Sequence, residues 1–182
     1  MSSLMFRTSY AHKIIPSGSL SQPDFSCLSF SSHQFGVVEL DEDKKGGIVR
    51  ALGSWDNKVT VTTPADIEKL TAMIVFEEPR FGNQVVYTAG ETVTYGRVAE
   101  IVDEVVGSEK GVRREVWTVE SLEKELEEQR GSKEETMAKY RVAFAVGRGV
   151  SWDFEKSWNW QKGLEVTDVK SYAERNLRGV LE

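Results

Sequence analysis

From Val37 onward, segments in which hydrophobic residues have the spacing of a strand are followed by segments in which they have the spacing of a helix. The β-branched alternation of KVTVTT (58–63) and the apolar segments QVVYTAG (84–90) and REVWTV (114–119) are typical of strands. The segment VVELDEDKKGGIVR (37–50) predicts a strand, a turn around Lys45–Gly47 and a second strand. We expect KVTVTT, QVVYTAG and REVWTV to share one small sheet flanked by helices.

Helical spacing follows the first two of these strands. Thr63 is the expected N-cap of a helix that ends before Pro79, and its apolar face consists of Ile67, Leu70, Ile74 and Val75. Thr94 is the expected cap of a second helix, with Gly107 just beyond its end. The charged segment 121–146 predicts one or two helices broken near Gly131, and 166–181 predicts a closing helix. This alternation of strands and helices defines the α/β fold class.

The first 36 residues show neither spacing. They hold ten serines, both histidines, the lone cysteine and a single acid, Asp24. We therefore expect a poorly ordered leader over 1–36 that packs little against a domain over 37–182. Because the leader is rich in serine and poor in acids and contains Arg7 and Lys13, an organellar transit peptide is the alternative interpretation.

Charge and cysteine content exclude several classes of function. The net charge is −6 and no basic cluster is present, which disfavours nucleic-acid and anionic-membrane partners. The single cysteine, Cys27, excludes an internal disulfide and a cysteine-based zinc site. No apolar run approaches the ~20 residues that span a bilayer. We expect a cytoplasmic protein.

Other polar residues favour structural roles. The acidic run Asp41, Glu42 and Asp43 lacks the spaced ligands of a cation-binding loop, so no metal site is assigned. His12 and His33 lie in the leader with no evident partner. Asp66 is better placed to interact with a helix dipole than to act as an acid catalyst.

The ordered elements resemble the NmrA-like and isoflavone-reductase-like proteins, an atypical branch of the short-chain dehydrogenases/reductases. The resemblance spans about Val37 to Leu177. The residues that carry it are VTVTTPADIEKL (59–70), EEPRFGNQVVYTAGETVTYGRVAEIVDEVVG (77–107), KYRVAFAVGRGVSWDF (139–154) and GLEVTDVKSYAERNL (163–177). It implies the C-terminal, substrate-side portion of a Rossmann-like NAD(P)-binding fold.

One departure from the family pattern affects the expected chemistry. Complete relatives begin with a strand and a G-x-x-G-x-x-G loop that holds the pyrophosphate of NADP(H) or NAD(H). Here Gly18 follows no strand, Gly46–Gly47 lies in a charged turn, and Gly147–Gly149 is too short a signature. The catalytic lysine of the reductase branch lies in a half with no counterpart in this sequence. We therefore assign no catalytic and no cofactor-binding residue, and expect no cofactor for this chain alone.

The resemblance also suggests where a ligand would lie. The family segment matching 144–148 borders the substrate pocket. We expect any pocket here to be lined by Phe144, Val146, Arg148, Trp152 and Phe154, with Arg148 available to a carboxylate or phosphate. A small aromatic or carbonyl compound is the expected ligand. The aromatic residues can equally serve to pack this segment against a core.

Three functions are compatible with the sequence. The leading interpretation is a truncated NmrA-like protein, related to NAD(P)H-dependent reductases and dinucleotide-sensing regulators and inactive alone. The first alternative is a non-catalytic interaction module that binds a protein partner or a second copy through an exposed sheet edge. The second is an NAD(P)H-dependent oxidoreductase with a diverged cofactor site. The sequence leaves open whether the chain is an enzyme.

Overall fold

The computed structural model describes residues 5–8, 10–12, 35–41, 46–82, 84–107 and 111–177. The strands in these ranges are β1 Met5–Thr8, β2 Tyr10–His12, β3 Val38–Leu40, β4 Gly47–Leu52, β5 Lys58–Val61, β6 Val85–Tyr87, β7 Glu91–Thr94 and β8 Arg113–Trp117. The helices are α1 Pro64–Val75, α2 Tyr95–Val106, α3 Val119–Glu128, α4 Glu135–Val146, α5 Trp158–Gln161 and α6 Val169–Leu177. This alternation confirms the α/β class.

The described strands form three small sheets. β6 pairs in parallel with β1, which pairs antiparallel with β2; β8 pairs in parallel with β4, which pairs antiparallel with β3; and β5 pairs antiparallel with β7. The expectation of one shared sheet is wrong, because β5, β6 and β8 each lie in a different one. The alternating pattern identifies a strand, but strands this short have few cross-strand pairs with which to specify a partner.

Part of the range 1–36 contacts the rest of the chain. Residues 5–7 of β1 are in register with 85–87 of β6. Phe35 is buried, and its ring meets Phe144 edge-on with centroids 5.2 Å apart. For these residues the structure differs from the expected lack of packing, because β1 occupies the hydrogen-bonding edge of β6. The poor order of the leader and the division of the chain after residue 36 stay predictions.

The local helix signals are confirmed. The Thr63 hydroxyl accepts from the Asp66 N–H at the start of α1, and the Thr94 hydroxyl accepts from the Arg97 N–H at the start of α2. Gly107 ends α2 with a left-handed φ of 65°. The inner face of α1 differs from the expected one: Val75 is 46% exposed, whereas Asp66, Leu70 and Ile74, four residues apart, are buried.

Two hydrophobic clusters stabilise the part of the chain that the structure describes. The larger joins β4, β5, α2, α4 and α6 and includes Val49, Val59, Ile101, Phe144 and Ala173. The smaller consists of Leu70, Ile74, Val86 and Trp158, from α1, β6 and α5. The second cluster therefore places α5 beside β6. Within the described ranges, no helix has both the length and the apolar composition to cross a membrane.

Candidate functional site

The candidate site lies at the carboxyl end of β6. In Rossmann-like sheets ligands bind beyond the carboxyl ends of the parallel strands, and β6 runs parallel to β1. Just past this end, the Ala89 N–H donates to Asn159 Oδ1 (3.0 Å) and Asn159 Nδ2 donates to the Ala89 carbonyl (2.8 Å). Both residues are fully buried. The Asn159 amide thus takes the place of a neighbouring strand and fixes α5 to this end of β6.

An aromatic surface lies at the carboxyl end of β6. The rings of Tyr87 and Trp152, which we call the aromatic pair, have centroids 5.5 Å apart and are tilted by 56°. Tyr87 is 37% exposed and Trp152 is half-buried. The aromatic pair therefore presents part of its flat apolar surface to solvent, where a planar ring could pack against it.

The segment that carries Trp152 is held along β5. The Thr60 N–H donates to the Val150 carbonyl (3.0 Å), and the Trp152 N–H donates to Thr60 Oγ1 (3.0 Å). The Thr92 hydroxyl donates to the Trp152 carbonyl (2.7 Å). Trp152 is therefore fixed by two threonines, one on β5 and one on β7.

Three covered polar atoms around β6 have no hydrogen-bond partner among the described residues: Thr88 Oγ1, Trp152 Nε1 and Trp158 Nε1. An indole N–H is a donor only, so both tryptophans need an acceptor. Leaving a buried donor unsatisfied costs about 1–3 kcal/mol. An oxygen acceptor, from water or from a bound carbonyl compound, would satisfy these groups.

A charged pair lies next to the aromatic pair in sequence. Lys156 Nζ lies 2.8 Å from Asp153 Oδ2, and both side chains are exposed. The Lys156 ammonium lowers the pKa of Asp153, and Asp153 raises the pKa of Lys156. The two charges cancel, so this pair gives the site no net preference for an anion or a cation. In the described ranges, no cluster of three or more histidines, cysteines or acids could hold a metal ion.

Asp66 has a structural environment. Its Oδ2 accepts the Thr63 hydroxyl proton (2.7 Å) and the Thr167 N–H (2.9 Å). The carboxylate lies in the first turn of α1, as the sequence predicts, and is buried. Asp66 therefore joins the start of α1 to the segment before α6.

The residues expected at the pocket fall into two groups. Phe144 lies in α4 and packs into the larger cluster, whereas Val146 at the end of that helix and Arg148 just after it are exposed. Trp152 and Phe154 form the other group. Phe154 is half-buried, and its carbonyl accepts from the Ser157 hydroxyl (2.6 Å).

The contacts of Trp152 described above lead to β5, β6 and β7, and none of them reaches Phe144 or Arg148. That the five residues line one pocket stays a prediction. Sequence reasoning missed Tyr87, Thr88 and Asn159. The position of Tyr87 and Thr88 at the end of an apolar strand was an available signal, but Asn159 lies 70 residues from its partner.

Comparison with known proteins shows which proteins the chain is similar to in sequence. No protein-family model matches it. An NmrA-like family domain-containing oxidoreductase from Gibberella moniliformis is 43% identical over 138 residues, which are 76% of this chain and 42% of the relative.

Solved structures share the fold. The NADPH-dependent quinone oxidoreductase of Escherichia coli, solved with NADPH, matches 74% of this chain and 45% of its own length, with a TM-score of 0.53 and 18% identity. A second structure of that protein gives a TM-score of 0.54 with 16% identity, over 74% of this chain and 46% of its own. A nucleoside-diphosphate-sugar epimerase from Staphylococcus aureus gives 0.52 with 15% identity, over 69% and 43%.

The architecture is therefore part of a Rossmann-like α/β fold, which the chain shares with these solved structures. By sequence the chain is related to this NmrA-like family domain-containing oxidoreductase, which confirms the NmrA-like resemblance of its motifs. The chain spans less than half the length of the relatives it matches.

Proposed function

We propose that this chain supplies the substrate side of an NmrA-like NAD(P)H-dependent oxidoreductase and does not catalyse hydride transfer by itself. The observation that carries the proposal is the aromatic pair at the carboxyl end of β6, in a sequence without a G-x-x-G-x-x-G loop. The expected ligand is a small aromatic or carbonyl compound, which would pack against Tyr87 and Trp152.

The N-termini of five helices, α1, α2, α3, α4 and α6, do not fit a dinucleotide pyrophosphate, which needs free backbone N–H groups and no competing negative charge. Acidic side chains occupy the first turns of α1, α3 and α4: Asp66, Glu120 and Glu135. At α2 the first N–H groups already donate to Asn57 O, Trp55 O and the Thr94 hydroxyl. At α6 the N–H groups of 169 and 171 donate to carboxylates.

The lack of a glycine-rich loop to hold the cofactor explains why we expect no activity from this chain alone. A bound NAD(P)H supplies the hydride, and the protein must hold nicotinamide and substrate together. Such positioning is worth up to ~7–11 kcal/mol. This chain can orient the substrate ring through the aromatic pair, but the N-termini of these five helices would not hold the cofactor pyrophosphate beside it.

Binding and turnover measurements test this function. In titration calorimetry with NADPH and with NADH, we expect no binding tighter than ~10 µM. With quinone or enone acceptors, NADPH oxidation should equal that of a heat-killed control. A micromolar or tighter dinucleotide complex, or oxidation that is lost in Trp152→Ala, would defeat the proposal and favour the diverged oxidoreductase.

A non-catalytic interaction module is the second candidate, and exposed apolar side chains favour it. Phe76 at the end of α1 is 82% exposed, Met73 precedes it by one turn, and Trp160 on α5 is half-exposed. An ion pair between Glu77 and Lys162 brings the ends of α1 and α5 together. Large exposed aromatic residues are common at protein interfaces. Light scattering coupled to size exclusion separates the candidates, since a monomer at 100 µM would argue against self-association.

The cytoplasmic location stays a prediction.

A further inference from the structure

We propose that Thr60 and Thr92 are positioning residues for the aromatic pair, because their hydroxyls fix Trp152 in a closed ring of hydrogen bonds. The inference rests on the proposed function only in taking the aromatic pair as the place where a substrate ring binds. Neither threonine belongs to the residues that the sequence indicates for the pocket.

The direction of each bond in this ring of hydrogen bonds follows from the backbone N–H and carbonyl of Trp152. The Trp152 N–H can only donate, and it donates to Thr60 Oγ1 (3.0 Å). The Trp152 carbonyl can only accept, and it accepts the Thr92 hydroxyl proton (2.7 Å). Because the Thr92 proton is then committed, the bond between the two hydroxyls (2.8 Å) runs from Thr60 to Thr92.

The ring is therefore complete: each hydroxyl donates one bond and accepts one, and both backbone groups of Trp152 are satisfied. The competing contact from Thr60 Oγ1 to the Trp152 carbonyl is longer, at 3.4 Å. Hydrogen bonds linked in this way polarise and strengthen one another, so loss of one hydroxyl weakens the remaining bonds.

Side-chain and backbone anchors of this segment are separate. The Thr60 N–H donates to the Val150 carbonyl independently of the Thr60 hydroxyl. The register of β5 with β7, which pairs Thr60 with Thr92, is made by the backbone. Thr92→Val therefore keeps the strand pairing and the backbone bond from Thr60 to Val150, and removes the hydroxyl that donates to the Trp152 carbonyl and accepts from Thr60.

The position of Trp152 sets the geometry of the aromatic pair. Tyr87 is fixed by the pairing of β6 with β1, so the separation of 5.5 Å depends on where the Trp152 backbone lies. Once the Trp152 carbonyl loses the Thr92 hydroxyl and the bond to Thr60 is weakened, Trp152 can move away from Tyr87. The flat surface that the two rings share is then lost.

The first arm of the test follows Trp152 itself. The chain has five tryptophans, so labelling with 5-fluorotryptophan gives a simple ¹⁹F NMR spectrum in which Trp152→Phe identifies one resonance. In Thr92→Val we expect that resonance to shift or broaden while the other four keep their positions. Thr92→Ser, which retains the hydroxyl, should resemble the wild type.

Thr62→Val is the matched control. Thr62 is also buried, but its hydroxyl accepts from the Gly90 N–H (3.1 Å) rather than contacting Trp152. The Trp152 resonance should be unchanged in this variant. An unchanged resonance in Thr92→Val, or the same change in Thr62→Val, would overturn the proposal.

The second arm measures binding of anthraquinone-2-sulfonate, a flat carbonyl compound that does not alkylate thiols. By calorimetry, Thr92→Val should bind about tenfold more weakly than the wild type, as loss of about one hydrogen bond predicts. Thr92→Ser and Thr62→Val should bind like the wild type. If the wild type shows no binding but the ¹⁹F result is as expected, the positioning role stands and the proposed ligand class is wrong. Equal affinity in Thr92→Val and the wild type would overturn the role in binding.

Discussion

Asn159 gives a large and well-defined stability prediction. Asn159→Ala removes both hydrogen bonds to Ala89 and leaves a backbone N–H and a carbonyl without partners at fully buried positions. Each unsatisfied buried group costs about 1–3 kcal/mol, so we expect a loss of about 2–6 kcal/mol. This is a large part of the 5–15 kcal/mol that stabilises a typical domain.

Urea denaturation followed by circular dichroism measures this loss. The midpoint should fall while the slope with urea stays constant, since the change lies in the folded state. Asn176→Ala is the control: the Asn176 amide also donates to a backbone carbonyl, at 2.8 Å, but on the exposed surface of α6. Its loss should cost below about 1 kcal/mol. Equal effects of the two substitutions would refute the conclusion that the Asn159 amide fixes α5 to the carboxyl end of β6.

Three further predictions concern backbone, carboxylate and pH. Gly53→Ala should lower the urea midpoint more than Gly149→Ala, because both residues have a left-handed φ but only at Gly53 would an added Cβ strike a backbone carbonyl; the expected cost there is about 2–4 kcal/mol. Asp66→Ala should cost about 2–4 kcal/mol in thermal unfolding, since a buried hydroxyl and an N–H lose their shared acceptor. Lys170 lowers the pKa of Glu104, so the pair stabilises the fold above the ordinary carboxyl pKa and this stabilisation is lost as the pH falls through the lowered value. The difference in unfolding temperature between the wild type and Glu104→Gln should therefore shrink below about pH 4.

Local chemistry explains what the sequence could predict. A hydroxyl residue before a helix, as at Thr63 and Thr94, is a signal within three residues, and the structure has both caps. Gly131, with a φ of 74°, separates α3 from α4 for a similar reason. The family motifs add the expectation of a Rossmann-like fold, and the solved structures share the fold.

Long-range partners could not be predicted in this way. β7 is the partner of β5, but its sequence ETVT leads directly into α2 and resembles the approach to a helix. The Thr60 hydroxyl meets the backbone of Trp152 across 92 residues. The spacing of residues within a short segment predicts the local structure of that segment. It does not predict which distant residue the segment will contact. The sequence therefore indicates Trp152 as a candidate site residue, but it does not indicate Tyr87 or the two threonines that contact Trp152.

The three described sheets share no backbone ladder, and this affects how the molecule opens. Trp152 joins the region of β6 and α5 to β5 and β7: its ring contacts Tyr87, and its backbone is hydrogen-bonded to Thr60 and Thr92. No continuous pairing among the described strands makes this connection. Amide hydrogens in β6 and α5 should therefore exchange through a partial opening that requires less free energy than unfolding of β4 and β5. A ligand that binds only the closed form would slow exchange at β6 without altering β4, so exchange rates can report occupancy in the absence of turnover.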